Sequence, residues 1–304
     1  MKNIIEGKND FLFQTDEFVI ELITGKIPLS PEDTQSWLEL MNSRIGASRS
    51  RGAEYFLFVA PEKHVVYKKY LPEDVIISTD RPVIDLARTF SINKLDKHFL
   101  YPVNALSGHA QIYSPRAEMG SYDRYESHWN GYGVFVAYLD LCKKLNSLGR
   151  APVPSIDPSC MDFSYENQDG HCDLGLRLIP PKIEPHLGAK KIHPEGRCIF
   201  DNTKFSAGNL KVLVNKDKSL PRLVIFRDSF SNLLLPLLAE SFSRIVAIAT
   251  WHLLVPIIES ERPDYVVTQI AERYLSGPHI KIHAASPDVH CLCGMTVEQI
   301  KDKA

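Results

Sequence analysis

Ser229 stands in LVIFRDSFSNLLLPLL, between an apolar run of strand length and a run that reads as a helix. A serine at that junction has its hydroxyl at a sheet edge, where helix-start N–H groups and the helix dipole face negative charge developing nearby. Such a residue can attack a carbonyl and have the oxyanion stabilised. The plainer reading is that Ser229 or Ser231 caps the helix, because serine is a favoured N-cap. A second segment, YDRYESHWNGYG, holds Glu126 and His128 one residue apart just before another helix. A nucleophilic serine needs a base to take its proton, and that base needs a carboxylate to fix its tautomer and stabilise its cation. Glu126 and His128 supply both types, although alone they also suit a surface loop with a structural Trp129. The tightest thiol group, His290, Cys291 and Cys293, would bind a metal only with ligands brought from elsewhere.

The elements that must carry these residues alternate as in an α/β fold, without internal repeats. Pro31 after Ser30 is an N-cap followed by proline at the first helical position, so PEDTQSWLELMNSRI reads as a helix. YFLFVAP reads as a buried strand, RPVIDLARTFSI as a helix and HFLYPV as a strand. NGYGVFVAYLDLCKKLNSL places its apolar residues on one helical face and begins just after SHW. Residues 150–196 are rich in Pro, Gly, Asp and His and read as an irregular insertion, on the surface or over a site. The last third reads β-α-β-α-β: PRLVIF, SNLLLPLLAESF, RIVAIAT, LLVPIIESERP and DYVVTQI. Such units put ligand sites at the carboxyl ends of parallel strands, and Ser229 lies at that edge.

Composition is that of an ordinary globule, with 44% apolar and 24% charged residues among 304. A net charge of −2 offers no general attraction for nucleic acid or an anionic membrane. Apolar stretches fall short of a membrane span; LVIFRDSFSNLLLPLLAESF is broken by Arg227 and Asp228. If MKNIIEGKNDFLF is the native start, it has no secretory signal and predicts a cytoplasmic protein. Six cysteines without a CxxC pair predict reduced thiols. A single catalytic domain over 1–304 is expected, with the insertion at 150–196 and a short C-terminal tail at 276–304.

The chain as a whole resembles the SGNH hydrolase-like family of alginate O-acetyltransferases and related polysaccharide O-acetylation proteins. The resemblance runs through GKNDFLF, VAPEKHVVYKKYLP, YESHWNGYG, CDLG at 172–175, FRDSF at 226–230 and RPDYVVTQIAERYL. It implies a three-layer, flavodoxin-like α/β sandwich with a mainly parallel central sheet, the acid and histidine preceding the nucleophile. By position, Ser229 resembles the nucleophile, His128 the general base and acid, and Glu126 the residue that orients it. The family usually has Asp where this chain has Glu126, and Asp123 is the fallback acid. The N–H of Ser229 and Gly175 of CDLG are the implied oxyanion donors. Asn130, a substrate-binding candidate, and Asn232 each lie near a catalytic segment, and each suits a helix start equally. Tyr67 and Trp129 are candidates for stacking on a sugar, or for core. Arg273 approaches the substrate or pairs structurally with Glu272, and Arg227 and Asp228 set the turn.

The resemblance implies transfer of an acyl group, acetyl above all, to a carbohydrate hydroxyl in bacterial polysaccharide or glycan synthesis. That chemistry needs no metal and no cofactor. Acetyl-CoA is compatible as donor from location alone, since no phosphate-cradling glycine loop is evident. The rivals are an acetylesterase using the same residues, a glycan-binding protein that keeps the fold without catalysis, and a metal-binding protein built on the C-terminal Cys and His.

Overall fold

The computed structural model describes residues 3–108, 120–167, 171–204, 206–276 and 287–303. Eleven strands are described: β1 (Ile4–Glu6), β2 (Leu12–Gln14), β3 (Glu54–Ala60), β4 (Phe99–Leu100), β5 (Met161–Glu166), β6 (His186–Lys191), β7 (Gly196–Asp201), β8 (Leu210–Asn215), β9 (Arg222–Arg227), β10 (Arg244–Ala249) and β11 (Tyr265–Ala271). Seven form the central sheet in the order β4-β3-β11-β9-β10-β8-β7. From β4 to β10 the pairs are parallel, whereas β8 and β7 add an antiparallel edge.

Both faces of this sheet are covered, which is why its inner strands read as unbroken apolar runs. Phe56 and Phe58 of β3, Ile225 of β9 and Ala247 of β10 pack with Phe135, Tyr138 and Leu141 of the helix Gly131–Ser147. Their neighbours Tyr55, Leu57, Val224 and Val246 face the other way, toward Trp37 and Met41 of the helix Pro31–Arg49 and Leu86 and Phe90 of Pro82–Ile92. The first of those helices starts where the sequence places it: Ser30 and Asp33 form a reciprocal capping box.

Three expectations change. SNLLLPLLAESF is a 3-10 turn, Ser229–Asn232, followed by a short helix, Leu234–Leu238. Pro236 has no N–H to return to Asn232, so the backbone ladder is broken where a longer helix would grow. HFLYPV contributes only the two-residue edge strand β4. The 150–196 stretch is less irregular than its composition suggests: β5 and β6 pair antiparallel from Met161↔Lys191 to Glu166↔His186, and Leu187 joins the core beneath them. Of the tail, 277–286 lie outside the described residues. The helices Val289–Cys293 and Val297–Lys301 bury Val289, Cys293 and Ile300 against the face that carries Trp37. Among the described residues no helix is long and apolar enough to cross a membrane.

Candidate active site

From β9 the chain passes to β10 on one side and then to β11 on the other, so the carboxyl end of β9 is where the strand order reverses and a crevice opens. Asp228 and Ser229 follow directly. The Asp228 carboxylate accepts the N–H of Phe230 at 2.9 Å and, with its second oxygen, the N–H of Ala271 at the end of β11 at 2.6 Å. Asp228, not Ser229 or Ser231, therefore caps the turn and ties it to the neighbouring strand. Ser231 is buried and donates to Gln269 Oε1 at 2.7 Å. The Ser229 hydroxyl is left to His128.

His128 Nε2 lies 2.8 Å from Ser229 Oγ, and its Nδ1 lies 2.8 Å from Glu126 Oε1. The second Glu126 oxygen accepts the backbone N–H groups of Cys172 at 2.9 Å and Asp173 at 3.1 Å. Glu126 thus links the histidine to the 172–173 segment. Burial acts to raise the Glu126 carboxyl, but hydrogen bonds from His128 and the Asp173 backbone, with the imidazole's charge, overcome it and hold the group at about 2. Burial likewise acts to lower His128, and the Glu126 hydrogen bond and charge reverse this, leaving the ring more basic than ordinary imidazole. Behind them, Lys63 Nζ donates to the carbonyls of Asp123, Arg124 and Glu126 at 2.7–2.9 Å, clamping the loop.

The other candidates divide. Trp129 is fully buried, with its indole N–H on the Phe230 carbonyl at 2.9 Å, and Tyr67 sits among Phe11, Tyr70 and Tyr122. Both belong to the core, and neither lines a cavity that Ser229 borders. Asn130 caps the helix Gly131–Ser147 through Gly133 N–H and donates to Asp123. Asp123 is engaged by Asn130 and His186, not by His128. The Gly175 N–H donates to the Tyr125 carbonyl, and a side chain there would strike the Lys182 carbonyl, so this glycine serves packing. Arg273 pairs with Glu62 and Glu17, and Glu272 with Arg81, so the adjacent Glu and Arg do not pair with each other. Arg227 sets the turn through the Asp228 carbonyl and Asn232 Oδ1. The convergent groups of potential metal ligands among the described residues do not include His290, Cys291 or Cys293.

Ser229 borders two spaces. One, about 870 Å³, is lined by Asn209, Asn232, Thr250, Trp251, His252 and Tyr274 among others. The other, about 200 Å³, is lined by His128, Asp173, Arg177, Arg273 and Glu17. Trp251 and Tyr274, whose rings lie 4.6 Å apart, form the aromatic wall that Tyr67 and Trp129 do not. Sequence reasoning passed over Asp173, which accepts both the N–H and the hydroxyl of Ser127, and Gln269, which accepts the N–H of Asp228. Asp173 stood inside CDLG; Gln269 carried no local signal.

No protein-family model matches this chain, and no curated protein does. Solved structures resemble it closely in shape and distantly in sequence. The O-acetyltransferase domain of Pseudomonas putida AlgJ is 16% identical, with 99% of this chain and 100% of that one covered and a TM-score of 0.58. Bacillus cereus PatB1 with a sulfonyl adduct is 15% identical over 92% and 99%, with a TM-score of 0.61. A DHHW family protein from Eubacterium siraeum is 16% identical over 93% and 99%, with a TM-score of 0.60. At such identities the likeness establishes a shared α/β fold, carried over nearly the full length of each neighbour.

Proposed function

We propose that the chain is a serine acyltransferase on an SGNH hydrolase-like fold, and specifically an O-acetyltransferase acting on a carbohydrate hydroxyl. The observation that carries this reading is the continuous line Ser229 Oγ–His128 Nε2 and His128 Nδ1–Glu126 Oε1, 2.8 Å at each step. His128 takes the hydroxyl proton as Ser229 attacks the donor carbonyl, and Glu126 stabilises the imidazolium. The oxyanion is held by the Ser229 N–H and by Asn232, whose carbonyl oxygen is engaged by Arg227 and whose amide nitrogen is left as a donor at the cavity wall. The leaving group departs with the proton from His128. An acceptor hydroxyl then gives its proton to His128 and takes the acyl group from Ser229, whose leaving oxygen recovers that proton from His128.

The carbohydrate assignment rests on the Trp251–Tyr274 wall beside polar Asn209, Asn232 and Thr250, a surface suited to one apolar sugar face and its hydroxyls. The AlgJ domain, an O-acetyltransferase by name, supports the same reading through its fold. The test is mass spectrometry after incubation with acetyl-CoA or a chromogenic acetyl ester. An added acetyl on Ser229, transferred to a sugar acceptor faster than to water, is the expected result. Acetyl found elsewhere, or no labelling of Ser229 by an active-site serine probe, removes the mechanism.

A further inference from the structure

Beyond Glu126 a second set of side chains converges that the triad does not use. The His171 side chain, 6% exposed, lies between two carboxylates, its Nδ1 3.4 Å from Glu126 Oε2 and its Nε2 3.4 Å from Asp123 Oδ2. His186, also buried, places Nδ1 2.9 Å from the same Asp123 oxygen, and the two imidazole rings are 4.5 Å apart. One ligand atom from each of Asp123, His171 and His186 fits within 4.8 Å of the others.

The donors and acceptors here do not balance. A neutral imidazole has one N–H and one lone pair. With its hydrogen on Nδ1, which lies 3.4 Å from Glu126 Oε2, His171 turns the Nε2 lone pair toward Asp123. That nitrogen is buried without a hydrogen-bond partner, facing an oxygen that is itself an acceptor. Two buried lone pairs at this separation repel unless a cation lies between them. The neighbouring cations are otherwise engaged: Arg124 with Glu184, Arg177 with Asp173 and Asp16, and Lys63 with three carbonyls. Among the described residues no lysine or arginine pairs with Asp123 or Glu126.

We propose that Asp123 Oδ2, His171 Nε2 and His186 Nδ1 bind a divalent transition-metal ion of the zinc class. Two imidazole nitrogens with one carboxylate oxygen suit zinc or cobalt, whereas magnesium and calcium favour all-oxygen sets. An ion on Nε2 fixes the His171 tautomer whose Nδ1–H points at Glu126, a carboxylate–histidine–metal arrangement that ends on the acid of the triad. The site is separate from the acyl chemistry and stands whether or not Ser229 is a nucleophile.

Chelator-treated full-length protein titrated with zinc chloride, followed by desalting and elemental analysis, tests this. One retained equivalent is expected, with magnesium not competing. Cobalt(II) loading of the wild-type chain should give visible d–d absorption without a thiolate charge-transfer band, which sets the site apart from Cys172 and from Cys291 and Cys293. His171→Asn and His186→Gln should each weaken zinc binding at least about tenfold, while His128→Ala, in the neighbouring Glu126–His128–Asp173 group, retains it. Wild-type protein that keeps no zinc overturns the proposal and leaves a proton on His171 as the bridging cation. Zinc lost in His128→Ala but kept in His186→Gln overturns it in favour of the other group, and a thiolate band overturns it in favour of a cysteine site.

Discussion

Glu126 gives one oxygen to His128 and the other to two backbone N–H groups, so its charge and its position are separable by substitution. Ser229→Ala and His128→Ala should each lower acyl turnover by at least about 10³-fold with the fold intact. Glu126→Gln keeps the side-chain length but not the charge, and should retain a measurable residue, roughly 10³-fold below wild type in kcat. Steady-state kinetics on a chromogenic acetyl ester read all three. The base works when neutral, and Glu126 raises its pKa against the effect of burial, so kcat/KM should climb with pH through a value above the ordinary imidazole figure of about 6.5. Removing the carboxylate charge in Glu126→Gln should move that limb to lower pH; an unmoved limb would mean that another group titrates. At this scale the sequence was informative where partners are close in the chain or typical of the chemistry, as with Glu126 and His128. It was silent on Lys63 and Gln269, because their partners are backbone groups 41 to 63 positions away that only the fold brings near.

Elements set the site by how closely their backbones approach. A Cβ on Gly131, at the start of the helix that follows His128, would lie 2.4 Å from the Ala189 nitrogen and the Gly188 carbonyl carbon of β6. Gly131→Ala should therefore destabilise the protein by about 1–3 kcal/mol in denaturant titration. Gly46, in the helix Pro31–Arg49, has open space around its would-be Cβ, and Gly46→Ala should stabilise by up to about 1 kcal/mol. Equal effects at the two positions would mean that β6 does not bear on the helix. The strands β3, β9, β10 and β11 were legible because burial on both faces leaves a run of apolar residues. The 150–196 stretch was not, since β5 and β6 are half-exposed and polar, and their pairing rests on a partner rather than on pattern.

Over the molecule as a whole, a reversal in strand order produces the crevice, and segments far apart in the chain supply its walls. The larger space beside Ser229 carries Trp251 and Tyr274, and the acceptor is expected there. Trp251→Ala should raise KM for a carbohydrate acceptor roughly five- to tenfold while leaving hydrolysis of a small acetyl ester nearly unchanged. A parallel loss with both substrates would place the acceptor elsewhere.

The indole of Trp129 reaches from the histidine's segment to the carbonyl that follows the nucleophile, and it does so from inside the core. The gap between base and hydroxyl is consequently held by a strut that neither catalytic group supplies. Taking the oxygen off Ser229 should leave the imidazole standing where it was, so the inert Ser229→Ala protein becomes a faithful mould of the working one. Soaked with an intact donor or acceptor, it should capture the bound ligand in the pose that the living enzyme consumes.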